Sequence, residues 1–178
     1  MEIESTFIDG LKLIHLDKFE DERGTFLKVF NLDIFNEKRL ETDFRESYFS
    51  ISNKNVIRGM HFQIPPAEHT KLVYLNHGNV LDVILDIRRA SKTFGQYFTI
   101  LLDSTNPIMM YIPIGCAHGF LSKEDNSIVS YIQSSVYDKD YDEGILWNSF
   151  GMEWGIESPI ISKRDKSFIP FETFDTPF

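Results

Sequence analysis

Ionisable side chains that could move protons or bind anions occur in segments that otherwise look like buried strands or tight turns. Residues 58–63 read Arg-Gly-Met-His-Phe-Gln. Side chains alternate between the two faces of a strand, so we expect His61 and Gln63 to face the mouth of a barrel. Arg58 and Phe62 are then expected on the opposite face. A half-exposed strand with a solvated arginine and histidine explains these residues equally well.

Three further segments place charged groups where burial would be costly. His118 follows a Pro-x-Gly turn, and a single histidine in such a place more often has a structural role than a catalytic one. Asp82 and Asp86 share one face of a strand that is otherwise rich in Val and Ile, so they need water or cationic partners. Residues 162–165, read alone, are a charged loop.

The imidazole and carboxylate groups also raise the question of a metal site. Ligands could come from His61, Glu68, His69 and His118. Metal-binding cupin barrels use an H-x-H pair, a Glu and a later P-x-G-x-x-H pattern. The chain keeps the later pattern, which ends at His118, but Gln63 replaces the second histidine of the pair. The sequence is therefore similar to a cupin barrel that has lost its metal, and we expect no metal cofactor.

The composition is that of an ordinary globular protein. The 178 residues are 42% hydrophobic and 25% charged, which suits a single domain over residues 1–178. A net charge of −9 and the lack of a Lys/Arg-rich run argue against nucleic-acid binding. The only cysteine, Cys116, fits a reducing compartment. Because no signal peptide or membrane-spanning run is recognisable, we expect a cytoplasmic protein with no membrane partner.

Short strand-like runs separated by turn residues must position these side chains. In residues 79–87, side chains alternate at the period of two, with Asp82 and Asp86 on the same face as Val80 and Ile84. Further strands are predicted at residues 97–102, 109–112 and 128–133. Strands at this spacing indicate an antiparallel sandwich or barrel.

Helix is predicted only at the periphery. The best candidate covers residues 32–39, where Asn31 could act as the N-cap. The tail from residue 158 onward contains three prolines, so we expect it to wrap the surface. The prediction is an all-β protein whose N- and C-terminal extensions pack on a barrel.

Taken together, the motifs resemble the dTDP-4-dehydrorhamnose 3,5-epimerase family over nearly the whole chain. Each motif is weak alone, but their order and spacing are specific. The matching segments are residues 21–24, 55–63, 71–73, 78–83, 86–88, 91–95, 112–113, 117–120, 131, 137, 147–148 and 162–165. The resemblance implies a cupin-like antiparallel jelly-roll barrel, a homodimer, and neither a metal nor a redox cofactor. It also implies a nucleoside-diphosphate 4-keto-6-deoxyhexose as substrate.

The chemistry that the resemblance implies is epimerisation at C3, C5 or both. A proton leaves the carbon beside the ketone and another returns on the opposite face. This needs a base, an acid on the other face and a cation at the enolate oxygen. At the family's positions, His61 is the base, and Asp165 orients its ring and stabilises the imidazolium. Lys71 stabilises the enolate and Tyr131 donates the returning proton.

The remaining matched residues belong to the pocket and to substrate binding. His118 and Asp82 resemble a supporting pair in the same pocket. A guanidinium can bind oxyanions bidentately, so Arg23 and Arg58 are expected to hold the diphosphate. Tyr137 resembles the aromatic residue that lies against the nucleotide or sugar. The other expected substrate contacts are Phe26, Lys28, Glu46, Tyr48, Gln63, Glu143 and Arg164.

The positions that read the base depart from the family's pattern. Where the family has Phe-x-Glu the chain has Phe26-Leu27-Lys28, and Gln-x-Asn has become Glu46-Ser47-Tyr48. Lys28 only donates hydrogen bonds and cannot accept one from the thymine ring N–H. CDP, and after it GDP, are therefore alternatives to dTDP. In the other interpretation, Lys28 turns to a phosphate or to Glu46 and thymine is still bound.

Three other functions use parts of the same pattern. A 3,4-ketoisomerase on a related barrel shares the histidine-based chemistry. A non-catalytic nucleotide-sugar-binding barrel needs neither Tyr131 nor Asp165, so their presence together with His61 and Lys71 disfavours it. A metal-dependent dioxygenase is disfavoured by Gln63.

Overall fold

The computed structural model describes all 178 residues, which form thirteen strands, one α-helix and two 3-10 helices. The strands are β1 (Glu2–Ser5), β2 (Lys12–His15), β3 (Lys18–Asp21), β4 (Gly24–Leu27), β5 (Glu46–Ser52), β6 (Ile57–Gln63), β7 (Lys71–His77), β8 (Asn79–Asp86), β9 (Tyr97–Asp103), β10 (Ile108–Ile112), β11 (Cys116–Ser122), β12 (Ser127–Gln133) and β13 (Asp142–Gly144). The α-helix α1 is Leu32–Glu37, and the 3-10 helices are Asp165–Ser167 and Phe171–Thr173.

Two antiparallel sheets contain most of the strands and pack face to face. One sheet has the order β1-β2-β10-β7-β12-β5 and the other has the order β13-β6-β11-β8-β9, while β3 and β4 form a separate hairpin. Neighbours in each sheet are mostly distant in sequence, as in a jelly roll. The predicted all-β, cupin-like antiparallel fold is therefore confirmed. The two sheets are not joined by strand pairing into one continuous barrel.

Alternating strand positions build three apolar clusters. Val73 and its neighbours fill the space between the sheets. The outer face of the five-stranded sheet, with Leu85, is covered by the C-terminal tail, including Phe178. The outer face of the six-stranded sheet, with Leu72, packs on Phe35 of α1. Central strands such as β8, β10 and β11 are thus covered on both sides, and each of their residues is buried or half-buried.

The predicted helix is present but shorter than expected. The Asn31 side chain caps its first turn by accepting a hydrogen bond from the Ile34 N–H at 3.2 Å. The helix ends at Glu37, and Arg39 has a φ of 56°, a left-handed conformation that cannot continue a helix. No helix in the chain is long and apolar enough to cross a membrane.

Strand β6 departs from the regular alternation predicted for residues 58–63. Its pairing with β11 slips by one residue between Arg58 and His61. Gly59 lies in this bulge with a φ of 139°, and a Cβ there would lie 2.5 Å from the Cα of Gly119, so a side chain does not fit. Because of the extra residue, Arg58 faces the same cavity as His61. The prediction that they face opposite sides is wrong.

The tail from residue 158 lies against the five-stranded sheet. The ring of Phe174 packs edge-on against Phe62 of β6, with centroids 5.3 Å apart. The 3-10 helix Asp165–Ser167 contacts β6 as well. The tail thereby brings Asp165 beside the strand that contains His61.

Candidate active site

A cavity of about 420 Å³ lies between the two sheets. Its size lies within the range typical of small-molecule sites. Ten of the sixteen residues expected to take part in catalysis, support or substrate binding line it, and they come from both sheets, the loop after β12 and the tail. They are Glu46, Tyr48, Arg58, His61, Gln63, Lys71, His118, Tyr131, Tyr137 and Arg164.

The inner faces of the two sheets, which look at each other, change from apolar to polar toward this cavity. On β7, Lys71 shares a face with Val73, which belongs to the cluster between the sheets. On β12, Tyr131 and Gln133 share a face with the buried Val129 in the same way. The alternation that builds the core therefore also aims the polar side chains into the cavity.

The His61 ring is held by a carboxylate from the tail. Nε2 of His61 lies 3.0 Å from Oδ1 of Asp165, and the other carboxylate oxygen accepts the Gly59 N–H at 3.1 Å. Burial alone would raise the pKa of Asp165, but the hydrogen bonds from His61 and Gly59 outweigh it and hold the pKa below its usual value. Since an ionised carboxylate only accepts, we assign the hydrogen to Nε2. Nδ1 then keeps its lone pair and could take a proton.

Packing on the other side fixes the same ring. Phe168 meets His61 edge-on, with ring centroids 5.7 Å apart. The Arg164 guanidinium lies 4.9 Å from the centre of the Phe168 ring and donates to Asp142 Oδ2 at 2.6 Å. The tail therefore supplies both the carboxylate and the packing surface that orient His61.

A second histidine–aspartate pair lies deeper in the site. Nε2 of His118 on β11 lies 2.8 and 3.0 Å from the two carboxylate oxygens of Asp82 on the neighbouring strand β8. Both side chains are nearly sealed from solvent. Burial raises the pKa of Asp82 despite the attraction of His118. Asp82 thus finds the cationic or hydrogen-bonding partner that its buried position requires.

Lys71 is buried at the cavity wall, and its ammonium makes no hydrogen bond to another residue. Burial lowers its pKa to about 8, although Asp142 and Asp82 pull it in the opposite direction. The ammonium remains charged at neutral pH. It is therefore available to stabilise negative charge on a ligand.

Tyr131 faces the cavity from the six-stranded sheet, on the wall opposite to β6. Its hydroxyl lies 3.4 Å from Ser50 Oγ, and its ring stacks on Tyr48 with centroids 4.7 Å apart. Burial raises the pKa of Tyr131 above its usual value and that of Tyr48 to about 12. Both phenols stay protonated at neutral pH, so Tyr131 can donate a proton from the wall facing His61.

Glu46 and Arg58 are predicted substrate contacts that also form hydrogen bonds within the protein. Glu46 Oε2 accepts from Gln133 Nε2 at 2.8 Å and from the Tyr137 N–H at 2.6 Å. Arg58 donates from Nε to Ser52 Oγ at 3.0 Å. Glu46 therefore also anchors the loop that follows β12.

Four predicted contacts lie outside this cavity. Arg23, Phe26 and Lys28 belong to or flank the exposed β3–β4 hairpin, where Arg23 pairs with Asp21 instead. Glu143 is exposed on β13, and the preceding residue, Asp142, faces the cavity in its place. The difference is one residue, which in a strand turns a side chain to the other face.

Five functional candidates were not identified from the sequence as substrate contacts or supports. They are Ser50, His69, Gln133, Asp142 and Phe168. Gln133 lies two residues after Tyr131, and Ser50 two after Tyr48, so strand periodicity could have found both. His69 was considered only as a metal ligand. No group of three or more His, Cys, Asp or Glu side chains is arranged to hold a metal ion.

Comparison with known proteins agrees with this architecture. The model of the dTDP-4-dehydrorhamnose 3,5-epimerase family matches residues 5–173. The enzyme of that name from Methanothermobacter thermautotrophicus is 38% identical over 93% of this chain and 91% of its own length. The crystal structure of the Sulfolobus tokodaii enzyme has a TM-score of 0.90 at 36% identity, covering 97% of each chain.

A third relative has been solved with a sugar nucleotide. The dTDP-6-deoxy-D-glucose-3,5-epimerase of Legionella pneumophila, in complex with dTDP-4-keto-L-rhamnose, has a TM-score of 0.92 at 32% identity over 98% of this chain and 94% of its own. The jelly roll and these matches define the chain as a nucleotide-sugar epimerase. Within that class, the chain belongs to the dTDP-4-dehydrorhamnose 3,5-epimerase family.

Proposed function

We propose that the chain inverts C3 and C5 of a dTDP-linked 4-keto-6-deoxyhexose. The observation that carries the proposal is the arrangement of His61 with Asp165 on one wall of the cavity and Tyr131 on the other. Lys71 contributes a buried ammonium to the same cavity. These groups are the base, the acid and the cation that proton exchange beside a ketone requires.

In each inversion, Nδ1 of His61 removes the proton from the carbon beside the ketone. The electron pair of the broken C–H bond moves to the ketone oxygen, and the resulting enolate is stabilised by the Lys71 ammonium. Asp165 stabilises the imidazolium through its contact with Nε2. Tyr131 then protonates the carbon on the opposite face. The base must lose its proton and the acid must regain one before the second carbon reacts.

A homodimer is part of the proposal. Phe49 and Ile51 on the edge strand β5 are 64% and 53% exposed, and Phe26 on the β3–β4 hairpin is 61% exposed. A second copy would cover these apolar groups, whose exposure in a single chain is typical of interaction sites. It could also bring Arg23 and Lys28 of one chain to the cavity of its partner.

Sedimentation analysis tests the dimer directly. We expect Phe49→Glu with Ile51→Glu to convert a dimer to a monomer and to weaken nucleotide binding. The matched control is Phe94→Glu, which also replaces an exposed phenylalanine but lies on the β8–β9 connection. A wild-type protein that sediments as a monomer would contradict this part of the proposal.

A cytoplasmic location is also proposed, on the strength of the single, buried and unpaired cysteine.

The nucleotide has a second candidate, CDP, because Lys28 and Glu46 replace the family's base-reading residues. Binding of dTDP, CDP and GDP should be compared by calorimetry on the wild type and on Glu46→Gln. Preference for dTDP supports the main proposal. Preference for CDP that is lost in Glu46→Gln assigns the changed base to this carboxylate.

The reaction itself is tested by proton exchange in D2O. The protein is incubated with dTDP-4-keto-6-deoxyglucose and the C3 and C5 protons are followed by NMR. We expect deuterium at both carbons with the wild type. Exchange at one carbon would reduce the proposal to a single epimerisation. Retention of both protons, by a protein that binds the nucleotide sugar, would favour a non-catalytic binding barrel.

A further inference from the structure

His69 is a half-buried ionisable residue that the proton transfers proposed above do not use. It lies between β6 and β7, two residues before Lys71, and it lines the same cavity. Burial lowers its pKa to about 3, and the nearby charge of Lys71 acts in the same direction. The ring is therefore neutral at any pH near neutrality. It can take part in hydrogen bonds there, but it is poorly suited to act as an acid or base.

One ring nitrogen is anchored to the protein. Nδ1 of His69 lies 3.1 Å from Ser135 Oγ. The single hydroxyl hydrogen of Ser135 points to the Ala67 carbonyl oxygen at 2.7 Å, and Gln63 Nε2 donates to Ser135 Oγ at 3.1 Å. Gln63 Nε2 also lies 3.3 Å from Nδ1 of His69, but its two hydrogens go to the shorter contacts, to the Ala67 carbonyl oxygen at 2.8 Å and to Ser135 Oγ. Ser135 Oγ then has one lone pair left, and we assign it to accept Nδ1–H of His69. This assigns the hydrogen of the neutral ring to Nδ1 and the lone pair to Nε2.

The anchoring residues are themselves fixed. Gln63 Oε1 accepts the Asp138 N–H at 2.7 Å, and Gln63 Nε2 donates to the Ala67 carbonyl oxygen at 2.8 Å. The orientation of the Gln63 amide is therefore set by backbone groups on both sides. The His69 ring inherits a defined orientation from this network, as a substrate-reading group needs.

The other ring nitrogen has no partner in the protein. Among buried side-chain nitrogen and oxygen atoms, only Glu68 Oε2 is both sealed from solvent and without a hydrogen bond. Nε2 of His69 makes no hydrogen bond either, but it does not belong to the atoms that are sealed from solvent. It is therefore accessible from the cavity that its side chain lines. The cavity therefore contains a fixed, uncharged acceptor close to the ammonium of Lys71.

We infer that Nε2 of His69 accepts a hydrogen bond from a ring hydroxyl of the bound sugar, which makes His69 a specificity-determining residue. The inference rests on the proposed function for the identity of the ligand. A lone pair repels phosphate oxygens, and the ketone has no hydrogen to donate, so a hydroxyl is the sugar group that fits. Closeness to Lys71 puts this acceptor at the sugar, where the enolate forms.

Deoxy substrates test the inference through turnover. The kcat/KM values for dTDP-4-keto-6-deoxyglucose and for its 2-deoxy and 3-deoxy analogues are measured for wild type, His69→Ala and His69→Gln. We expect the wild type to disfavour one deoxy analogue roughly 10-fold, because that analogue leaves a buried acceptor unpaired. His69→Ala should lose this discrimination, and His69→Gln, which keeps an acceptor oxygen, should recover part of it. Equal discrimination in His69→Ala and wild type, or equal losses with all three substrates, would overturn the inference.

Binding gives a second test that does not depend on turnover. The 15N resonances of the His69 ring are followed by NMR on addition of dTDP and of dTDP-L-rhamnose, with His69→Gln used for assignment. We expect Nε2 to have the shift of an unprotonated nitrogen and to move with dTDP-L-rhamnose but not with dTDP. Equal movement with both ligands, or none with bound dTDP-L-rhamnose, contradicts the inference. If Nε2 moves as expected but no carbon exchanges deuterium, the proposed reaction fails and the sugar contact stands.

Discussion

The chain contains two histidine–aspartate pairs with similar distances and very different surroundings. Nε2 of His61 lies 3.0 Å from Asp165, and Nε2 of His118 lies 2.8 Å from Asp82. The His61 side chain is 30% exposed, whereas that of His118 is 4% exposed. Asp165 comes from the irregular tail, while Asp82 comes from the strand next to that of His118.

The comparison teaches that the pairing alone does not make a base. Asp165 has its pKa held low by two N–H donors, so it keeps a charge that can stabilise a newly formed imidazolium. Burial raises the pKa of Asp82, so a charge there depends on its partner staying in place. The first pair is suited to gain and lose protons, and the second to hold two strands and the cavity wall together.

The largest effect on activity should come from removing His61, the more exposed of the two paired histidines. We expect His61→Ala to lower kcat/KM for C3 and C5 exchange by about 10³- to 10⁴-fold, because the general base is lost. Its unfolding free energy, measured by urea titration, should fall less than that of His118→Ala, because Asp165 still accepts the Gly59 N–H when His61 is removed. His77→Ala, at an exposed histidine on β7, is the control. A residual rate above one-tenth of wild type would show that another group removes the proton.

The next largest effect should come from changing the tail carboxylate without changing its shape. Asp165 accepts from both His61 and Gly59, and an asparagine has an acceptor for only one of them. We expect Asp165→Asn to reduce kcat by roughly 100-fold, because the asparagine no longer fixes the tautomer of His61 or stabilises its imidazolium form. Asp175→Asn, in the same tail but exposed, should change kcat little. Equal rates for Asp165→Asn and wild type would remove the charge of Asp165 from the mechanism.

The sealed pair should respond in stability. His118→Ala leaves Asp82 buried without its partner, and we expect a loss of about 3 kcal/mol in the free energy of unfolding in urea at pH 7. Adding Asp82→Asn should recover part of that loss, because the uncompensated carboxylate is then removed. The folded His118→Ala protein should retain more activity than His61→Ala. The opposite ranking of the two variants would assign the proton transfer to the deeper pair.

The smallest effect is a pH dependence that neither histidine causes. The Lys71 pKa is lowered to about 8, so the ammonium is present below that pH and is lost above it. We expect kcat/KM, which reports ionisations of the free enzyme, to fall to about half at pH 8 and by roughly 10-fold at pH 9, with one proton involved. Lys71→Met should be slow at all pH values and lack this fall. The exposed control Lys123→Met should keep it, and a flat profile in the wild type would contradict the role of Lys71.

Regular alternation made much of the fold and site predictable. In β8, Asp82 was expected to share a face with Val80 and Ile84, and this is observed, so the need for a partner was visible in the sequence. The positions of the other middle strands followed from the same period. In these regular strands, successive side chains alternate between the two faces, so the position in the sequence is enough to assign the face.

The parts that could not be predicted depend on interruptions of that period and on contacts between distant segments. The bulge at Gly59 reversed the side of Arg58, because its cause is the close approach of Gly119 from another strand. That Asp142 rather than Glu143 faces the cavity depends on the register of β13 against β6, which are distant in sequence. The position of the β3–β4 hairpin outside the cavity is set by packing that no local pattern encodes.

The position of Asp165 late in the chain also determines when His61 can obtain its carboxylate partner during synthesis. His61 and its carboxylate are 104 positions apart in the chain, whereas 36 positions separate the other pair. During translation at about 5–20 residues per second, the interval between the synthesis of His61 and that of Asp165 is roughly 5–20 s. The sealed pair can meet earlier, while the base still lacks its partner. The order of synthesis therefore completes every strand of both sheets before Asp165 is made.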